Sequence, residues 1–229
     1  MVKKHTKMSI PALIIVDVQT DFCDKNGSLY VNDADTVVPD VEALRDALRT
    51  CWGDKLWSYF TMDTHPPNHV SFAVNNPGST LFKDFKLPGG TNQMMWPEHC
   101  IVGSPGWQLY PPLTMGVGSV MIMKGLKTHV DSYSGFGSAD GVSEITPLLK
   151  SLQAVGITHV VVCGVAFDYC VAATAKDAAK HGFKTCVARQ ATRGVANDSS
   201  AKELALMEQA GVKILDTVQD AVAFTQTTP

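Results

Sequence analysis

No apolar run in the sequence approaches the roughly 20 residues that a membrane helix needs, and the first, Pro11 to Val16, stops at Asp17. Lys3, Lys4 and Lys7 precede that run as they would in a secretory leader. A leader's apolar region, however, runs about 7–15 residues to a small-residue cleavage site, so this one reads as a strand. Charge of one sign is also missing: Lys+Arg 19 against Asp+Glu 22 gives −3. That balance offers no electrostatic reason to expect nucleic acid or an anionic membrane as partner. There is no C-x-x-C pair to serve zinc-ribbon or dithiol redox chemistry. The six cysteines, at 23, 51, 100, 163, 170 and 186, are too sparse for a small disulfide scaffold. They are expected as reduced thiols in a cytoplasmic protein, most of them small buried hydrophobes. Internal repeats, low-complexity tracts and linkers are absent as well, so one domain is expected over 1–229. Hydrophobic residues at 45% against 18% charged supply enough apolar surface for its core. Self-association is left open.

What is present is alternation. Ala12 to Val16 is continuous and β-branched, as in a strand buried on both faces. Val41, Leu44, Leu48 and Cys51 then fall at helical spacing, with Pro39 near the helix start. Strands are predicted over Leu56 to Met62, Ser119 to Met123, His159 to Cys163, Lys184 to Ala188 and Val212 to Leu215. Helices are predicted over Val142 to Val155, Cys170 to His181, Ser200 to Ala210 and from about Thr217. Gly156, Gly182 and Gly211 close three of these helices. This is the pattern of an α/β protein, a mostly parallel sheet with helices on both faces. One stretch, about 64–118, breaks it and holds eight of the twelve prolines. It also carries Trp96, Trp107, His65, His69 and His99, so it is read as an irregular insertion forming part of a pocket.

Open α/β sheets bind ligands outside the carboxyl ends of their strands. Four reactive side chains fall at such ends: Asp17, Asp63, Lys124 and, across a short turn, Cys170. Cys170 has the best local case for a nucleophile. At the start of a helix, free N–H groups and the helix dipole are expected to lower a thiol pKa and to hold an oxyanion. A carboxylate taking its proton and a nearby ammonium would complete the set. Cys163, Cys51 and Cys186 are better explained as packing residues. In Asp63-Thr64-His65, residues two apart on an extended segment point to one side and can reach one cation. His99 is a third candidate ligand, leaving coordination positions open, as in a catalytic or substrate-binding metal site. His69 is placed behind the ligands as a support.

Together these segments resemble the nicotinamidase/pyrazinamidase branch of the isochorismatase-like cysteine hydrolases. The matching stretches are Ile14-Ile-Val-Asp-Val-Gln-Thr-Asp-Phe22, Met62-Asp-Thr-His-Pro-Pro-Asn-His-Val-Ser-Phe72, Trp96-Pro-Glu-His-Cys-Ile-Val-Gly-Ser-Pro-Gly106, Met123-Lys-Gly125 and Gly164-Val-Ala-Phe-Asp-Tyr-Cys-Val171. The resemblance implies a three-layer α/β/α fold and an amidohydrolase acting on linear amides. Its reaction would be the hydrolysis of nicotinamide to nicotinate and ammonia, a salvage step in NAD biosynthesis, with pyrazinamide as a further substrate. The implied triad is Asp17, Lys124 and Cys170, with an oxyanion hole from the Ala166 and Cys170 amides and a cis peptide before Ala166. Asp63, His65 and His99 would hold one divalent metal, Zn2+ first and Fe2+ or Mn2+ as alternatives. Phe22 and Trp96 would flank the substrate ring, with Tyr133 walling the pocket. Phe167 departs from the family, where Thr is frequent. Two other readings stand beside this one. One is a related hydrolase of another substrate, against which the Cys170 and Asp63/His65/His99 sets argue. The other is a catalytically silent metal- or ligand-binding protein.

Overall fold

The computed structural model describes residues 9–228; Lys3, Lys4 and Lys7 of the leader-like segment lie outside the described residues. Strand β1 (Pro11–Val16) is buried along its whole length, and its alternating side chains divide between two cores. Leu13 and Ile15 pack on one face with Val37, Val38, Val41, Leu44 and Leu48 of helix α2 (Val37–Trp52), and Ala221 of α6 (Val218–Thr225) joins that core. Ala12, Ile14 and Val16 face the other way. They meet Leu148 and Leu152 of α3 (Leu148–Ala154), Ala172, Ala175 and Ala178 of α4 (Ala172–Lys180), and Met207 of α5 (Asn197–Gln209). The result is the expected three-layer α/β/α sandwich. A sixth helix, α1 (Thr20–Cys23), is a single turn directly after β1.

The remaining strands of the central sheet are β2 (Trp57–Asp63), β5 (Val120–Lys124), β6 (His159–Val165), β7 (Lys184–Arg193) and β8 (Lys213–Leu215). Their order is β5-β2-β1-β6-β7-β8, with every neighbouring pair parallel. The chain builds outward from β1 through β2 to β5, then returns to β6 on the other side of β1. The β1/β6 boundary is therefore the topological switch point, where a crevice opens at the carboxyl ends. Gly164 is required there. Its φ is +105°, and a Cβ would stand 2.2 Å from the Val16 carbonyl oxygen.

Three elements differ from the sequence expectation. Helix α3 covers only the last part of the predicted 142–155 helix. Pro147 disfavours helical backbone at Thr146, and Glu144 is drawn away to bind other backbone amides. Strand β7 runs on to Arg193 past a register shift opposite Val162/Gly164. That extension is polar, Arg-Gln-Ala-Thr-Arg, and has no apolar alternation to announce it. Inside 64–118 the short hairpin β3 (Asp84–Lys86) and β4 (Asn92–Met94) pairs antiparallel. No helix among the described residues is long and apolar enough to cross a membrane.

Candidate active site

Asp17 follows β1, Asp63 ends β2 and Lys124 ends β5, so three of the four central strands deliver one charged group each to the same rim. The fourth, β6, leads through Ala166 into a π-helical turn, Phe167–Val171, that carries Cys170 and runs on into α4. Cys170 thus opens the helical segment, but within a wide turn rather than in the first turn of a regular α-helix. Lys124 is fully buried and joins the group. Its Nζ lies 2.9 Å from Asp17 Oδ2, 3.0 Å from Asp63 Oδ1, 3.5 Å from Cys170 Sγ and 3.1 Å from the Ser132 carbonyl oxygen. Ligating atoms of Asp17, Asp63 and Cys170 all lie within 4.8 Å of one another. The Val165–Ala166 peptide is cis.

Burial and charge set the protonation states. Burial opposes the charged form of Lys124, but Asp17 and Asp63 overcome it and hold its pKa well above the ordinary lysine value. Burial likewise works against the Asp63 carboxylate, and His65 and Lys124 outweigh it, holding this carboxyl well below its usual range. At Asp17 burial prevails over Lys124 and pushes the pKa up. The expectation of a lowered Cys170 pKa is corrected here. Burial pushes the thiol well above its usual value, and Lys124 pulls against it without reversing the shift. Asp17 Oδ1 accepts from the Thr61 hydroxyl at 2.6 Å. Oδ2 faces the Lys124 ammonium as an ion pair at 2.9 Å.

The three candidate metal ligands come together too. Ligating atoms of Asp63, His65 and His99 lie within 4.8 Å of one another, and all three residues are buried. His65 Nδ1 donates to the Gly125 carbonyl at 2.9 Å and His99 Nδ1 to the Pro97 carbonyl at 2.8 Å. A carbonyl can only accept, so the hydrogens sit on Nδ1 and both Nε2 atoms face Asp63 Oδ2, at 3.2 and 3.6 Å. Burial would lower the His65 pKa, yet the Asp63 carboxylate reverses this and raises it to about 9. The spot between these residues therefore favours positive charge. A hard-to-borderline N,N,O donor set with ring tautomers fixed from behind fits a divalent cation. His69 stacks on His65 with ring centroids 4.0 Å apart. Both its nitrogens are engaged, by Ser71 Oγ at 2.8 Å and the Val130 carbonyl at 3.1 Å.

Phe22, Trp96 and Tyr133 line one cavity with Asp63, His99 and Cys170, and Ala166 borders it. Trp96 Nε1 donates to the Tyr133 hydroxyl at 2.9 Å. A larger cleft at the amino ends of β2 and β5, beside Arg49, Ser58 and Gly118, holds none of the reactive groups. Phe167 is buried, with the Arg189 guanidinium 4.3 Å from its ring centroid.

Sequence reasoning missed several contributors. Gln19 is fully buried and clamps Asp63, accepting from its N–H at 2.7 Å and donating to its carbonyl at 2.9 Å. A Gln two residues past Asp17, directly after an apolar strand, was the available signal. Tyr169 lines the cavity edge-on to Trp96, ring centroids 5.0 Å apart. Asp168 ties the turn that carries Cys170 to the amides of Val195 and Ala196, at 2.8 and 3.1 Å. Gly125 was quoted only as part of a motif, but its φ is +70° and a Cβ would lie 2.5 Å from His65 Cε1. Gly125→Ala is expected to cost about 1–2 kcal/mol from backbone conformation alone, and more from displacing His65. Urea unfolding measures this, and an unchanged midpoint would refute it.

The isochorismatase domain family matches residues 11–219. Among curated relatives, the nicotinamidase of Acinetobacter baylyi is 39% identical over 184 residues, 80% of this chain and 81% of that protein. Among solved structures, a nicotinamidase/pyrazinamidase of Acinetobacter baumanii superposes with a TM-score of 0.84 at 38% identity, covering 94% of this chain and 99% of the other. The pyrazinamidase of Pyrococcus horikoshii in complex with zinc gives a TM-score of 0.72 at 33% identity, covering 91% and 99%. With one family matching nearly the whole sheet and its helices, the chain belongs to the isochorismatase domain family, in the branch of the nicotinamidases and pyrazinamidases.

Proposed function

We propose that this protein is a nicotinamidase, hydrolysing nicotinamide to nicotinate and ammonia through a thioester on Cys170, with pyrazinamide as a second substrate. The observation that carries this reading is Lys124. One buried ammonium touches Asp17, Asp63 and Cys170, at 2.9, 3.0 and 3.5 Å, and so joins a nucleophile–base pair to a cation-favouring cluster. The working unit is a single domain, with 64–118 contributing His99 and Trp96 to the cavity. The six free thiols, five of them buried, fit a reducing, cytoplasmic setting.

Because burial keeps the resting thiol protonated, attack and deprotonation go together. Asp17 Oδ2 takes the thiol proton as Sγ bonds to the carboxamide carbon. The amides of Ala166 and Cys170 receive the carbonyl oxygen as it becomes negative. Asp17 passes its proton to the amide nitrogen, the C–N bond breaks, and ammonia leaves an acyl-cysteine. Asp17 then takes a proton from water attacking the thioester, the C–S bond breaks, and the proton returns to Sγ. Lys124 steadies each charged stage. Phe22 and Trp96 hold the ring, with the Tyr133 hydroxyl fixing Trp96. Asp63, His65 and His99 would hold a divalent cation, zinc first and Fe2+ or Mn2+ as alternatives, which would supply a Lewis acid to position the ring nitrogen, directly or through water.

Ammonia release from nicotinamide by the metal-loaded protein tests the activity, and none would reject it. Substrate choice tests how the ring is held. Benzamide matches nicotinamide in shape and amide but lacks the ring nitrogen. It is expected to be turned over at least about 10²-fold more slowly, the scale on which a lost polar anchor in a buried site acts. His65→Ala should depress nicotinamide turnover and narrow that gap. Equal rates on both amides by the loaded protein would remove the anchoring role.

A further inference from the structure

We infer that Glu144 is a positioning residue for the metal site, acting on His65 through a single peptide group. This rests on the proposed role of His65 as a ligand and extends it to a residue outside the motif stretches quoted above. Glu144 is buried, with 5% of its surface exposed. Its Oε1 accepts from the Leu126 N–H at 2.8 Å and its Oε2 from the Gly125 N–H at 2.7 Å. The Leu126 N–H and the Gly125 carbonyl are the two ends of one peptide group, and that carbonyl accepts from His65 Nδ1 at 2.9 Å. A continuous chain of hydrogen bonds thus runs from carboxylate to peptide to imidazole, and Nε2 at its far end faces Asp63 and His99.

A carboxylate behind a ligating imidazole fixes its tautomer and raises its basicity, and removing such a partner commonly weakens metal binding by about 10–100-fold. Here the peptide transmits the effect. Pulling on its N–H makes its carbonyl a stronger acceptor, in the way that chains of hydrogen bonds polarise one another. Glu144 is also held in place from its own side. Its N–H donates to Ser138 Oγ at 2.8 Å, and its carbonyl accepts from the Ser138 N–H at 3.0 Å. The second amide it binds, that of Gly125, belongs to the peptide formed by the Lys124 carbonyl, which in turn accepts from the Thr64 N–H at 2.8 Å. One carboxylate therefore fixes both peptides that follow the lysine.

The test is zinc affinity, measured by competition with a chromophoric chelator on the full-length protein, for wild type, Glu144→Gln and Glu144→Ala. Glu144→Gln keeps size and shape but replaces one acceptor with a donor facing an N–H. It should raise the zinc dissociation constant about 10–100-fold while the apo protein keeps its circular dichroism. A residue that merely braced the loop would lower apo stability without moving affinity in the folded protein. Wild-type zinc affinity in a folded Glu144→Gln variant would overturn the inference alone. Absence of zinc binding by the wild type would overturn it together with the metal reading. Should Glu144→Ala fail to fold, the Gln variant still decides.

Discussion

Cys170→Ala is expected to reduce nicotinamide hydrolysis on the order of 10⁶-fold, the scale on which removing the nucleophile acts in a serine protease, while leaving a folded protein. The reasons lie in its surroundings. The thiol is buried, held protonated, and approached by a fully buried ammonium at 3.5 Å and by a carboxylate oxygen within 4.8 Å. A packing cysteine has no use for such neighbours. Cys163 shows the contrast: it is fully buried in β6 among Leu13, Ile15 and α2 side chains, and burial is the main cause that pushes its thiol up. An aldehyde analogue of nicotinamide should add reversibly to Cys170, forming a C–S bond as the carbonyl becomes a hydroxyl. Native mass spectrometry of the wild type and of the Cys170→Ala and Cys163→Ala variants would locate the adduct. Modification at Cys163, or residual turnover within about tenfold of wild type in the alanine variant, would overturn the assignment.

Strand ends were readable because apolar and aromatic or β-branched runs stop abruptly at charged residues. Asp17, Asp63 and Lys124 each terminate such a run, and Cys170 follows one across a turn. Their convergence was not readable in the same way. It depends on β5, β2, β1 and β6 lying side by side, and no spacing in the sequence states a strand order. The thiol pKa shows a different failure. Helix-terminus reasoning considered only the local backbone, whereas the sign is decided by the desolvation that comes with burial of Cys170 beside the cavity. Glu144 was invisible for a third reason. A side chain that binds amides 18 and 19 residues away has no periodic signature, and its neighbours Val142 and Ile145 gave a misleading helical pattern although both are exposed. Local rules therefore located most strands and helices and named the candidate residues that the fold gathers, and what they lost was whatever depends on burial or long-range backbone contact.

Asp17→Asn is expected to lower kcat by about 10²–10⁴-fold, the range for loss of a positioned general base, with little change in KM because Asp17 is fully buried beside the thiol. The amide keeps the shape and still accepts from Thr61, whose hydroxyl fixes Oδ1. The proton-accepting atom, Oδ2, is lost, and with it the ion pair to Lys124 at 2.9 Å. The pH profile carries the second half of the test. Burial raises the Asp17 pKa above the ordinary aspartate value of 3.8. The protonated acid cannot take the thiol proton, so activity should fall as pH drops through this raised pKa and persist above it. The acid limb of kcat/KM should accordingly sit higher than an exposed aspartate would place it. In Asp17→Asn that limb should disappear from whatever activity remains, since an amide does not titrate there. Near-native turnover, or an acid limb unchanged in the asparagine variant, would assign the base to another residue.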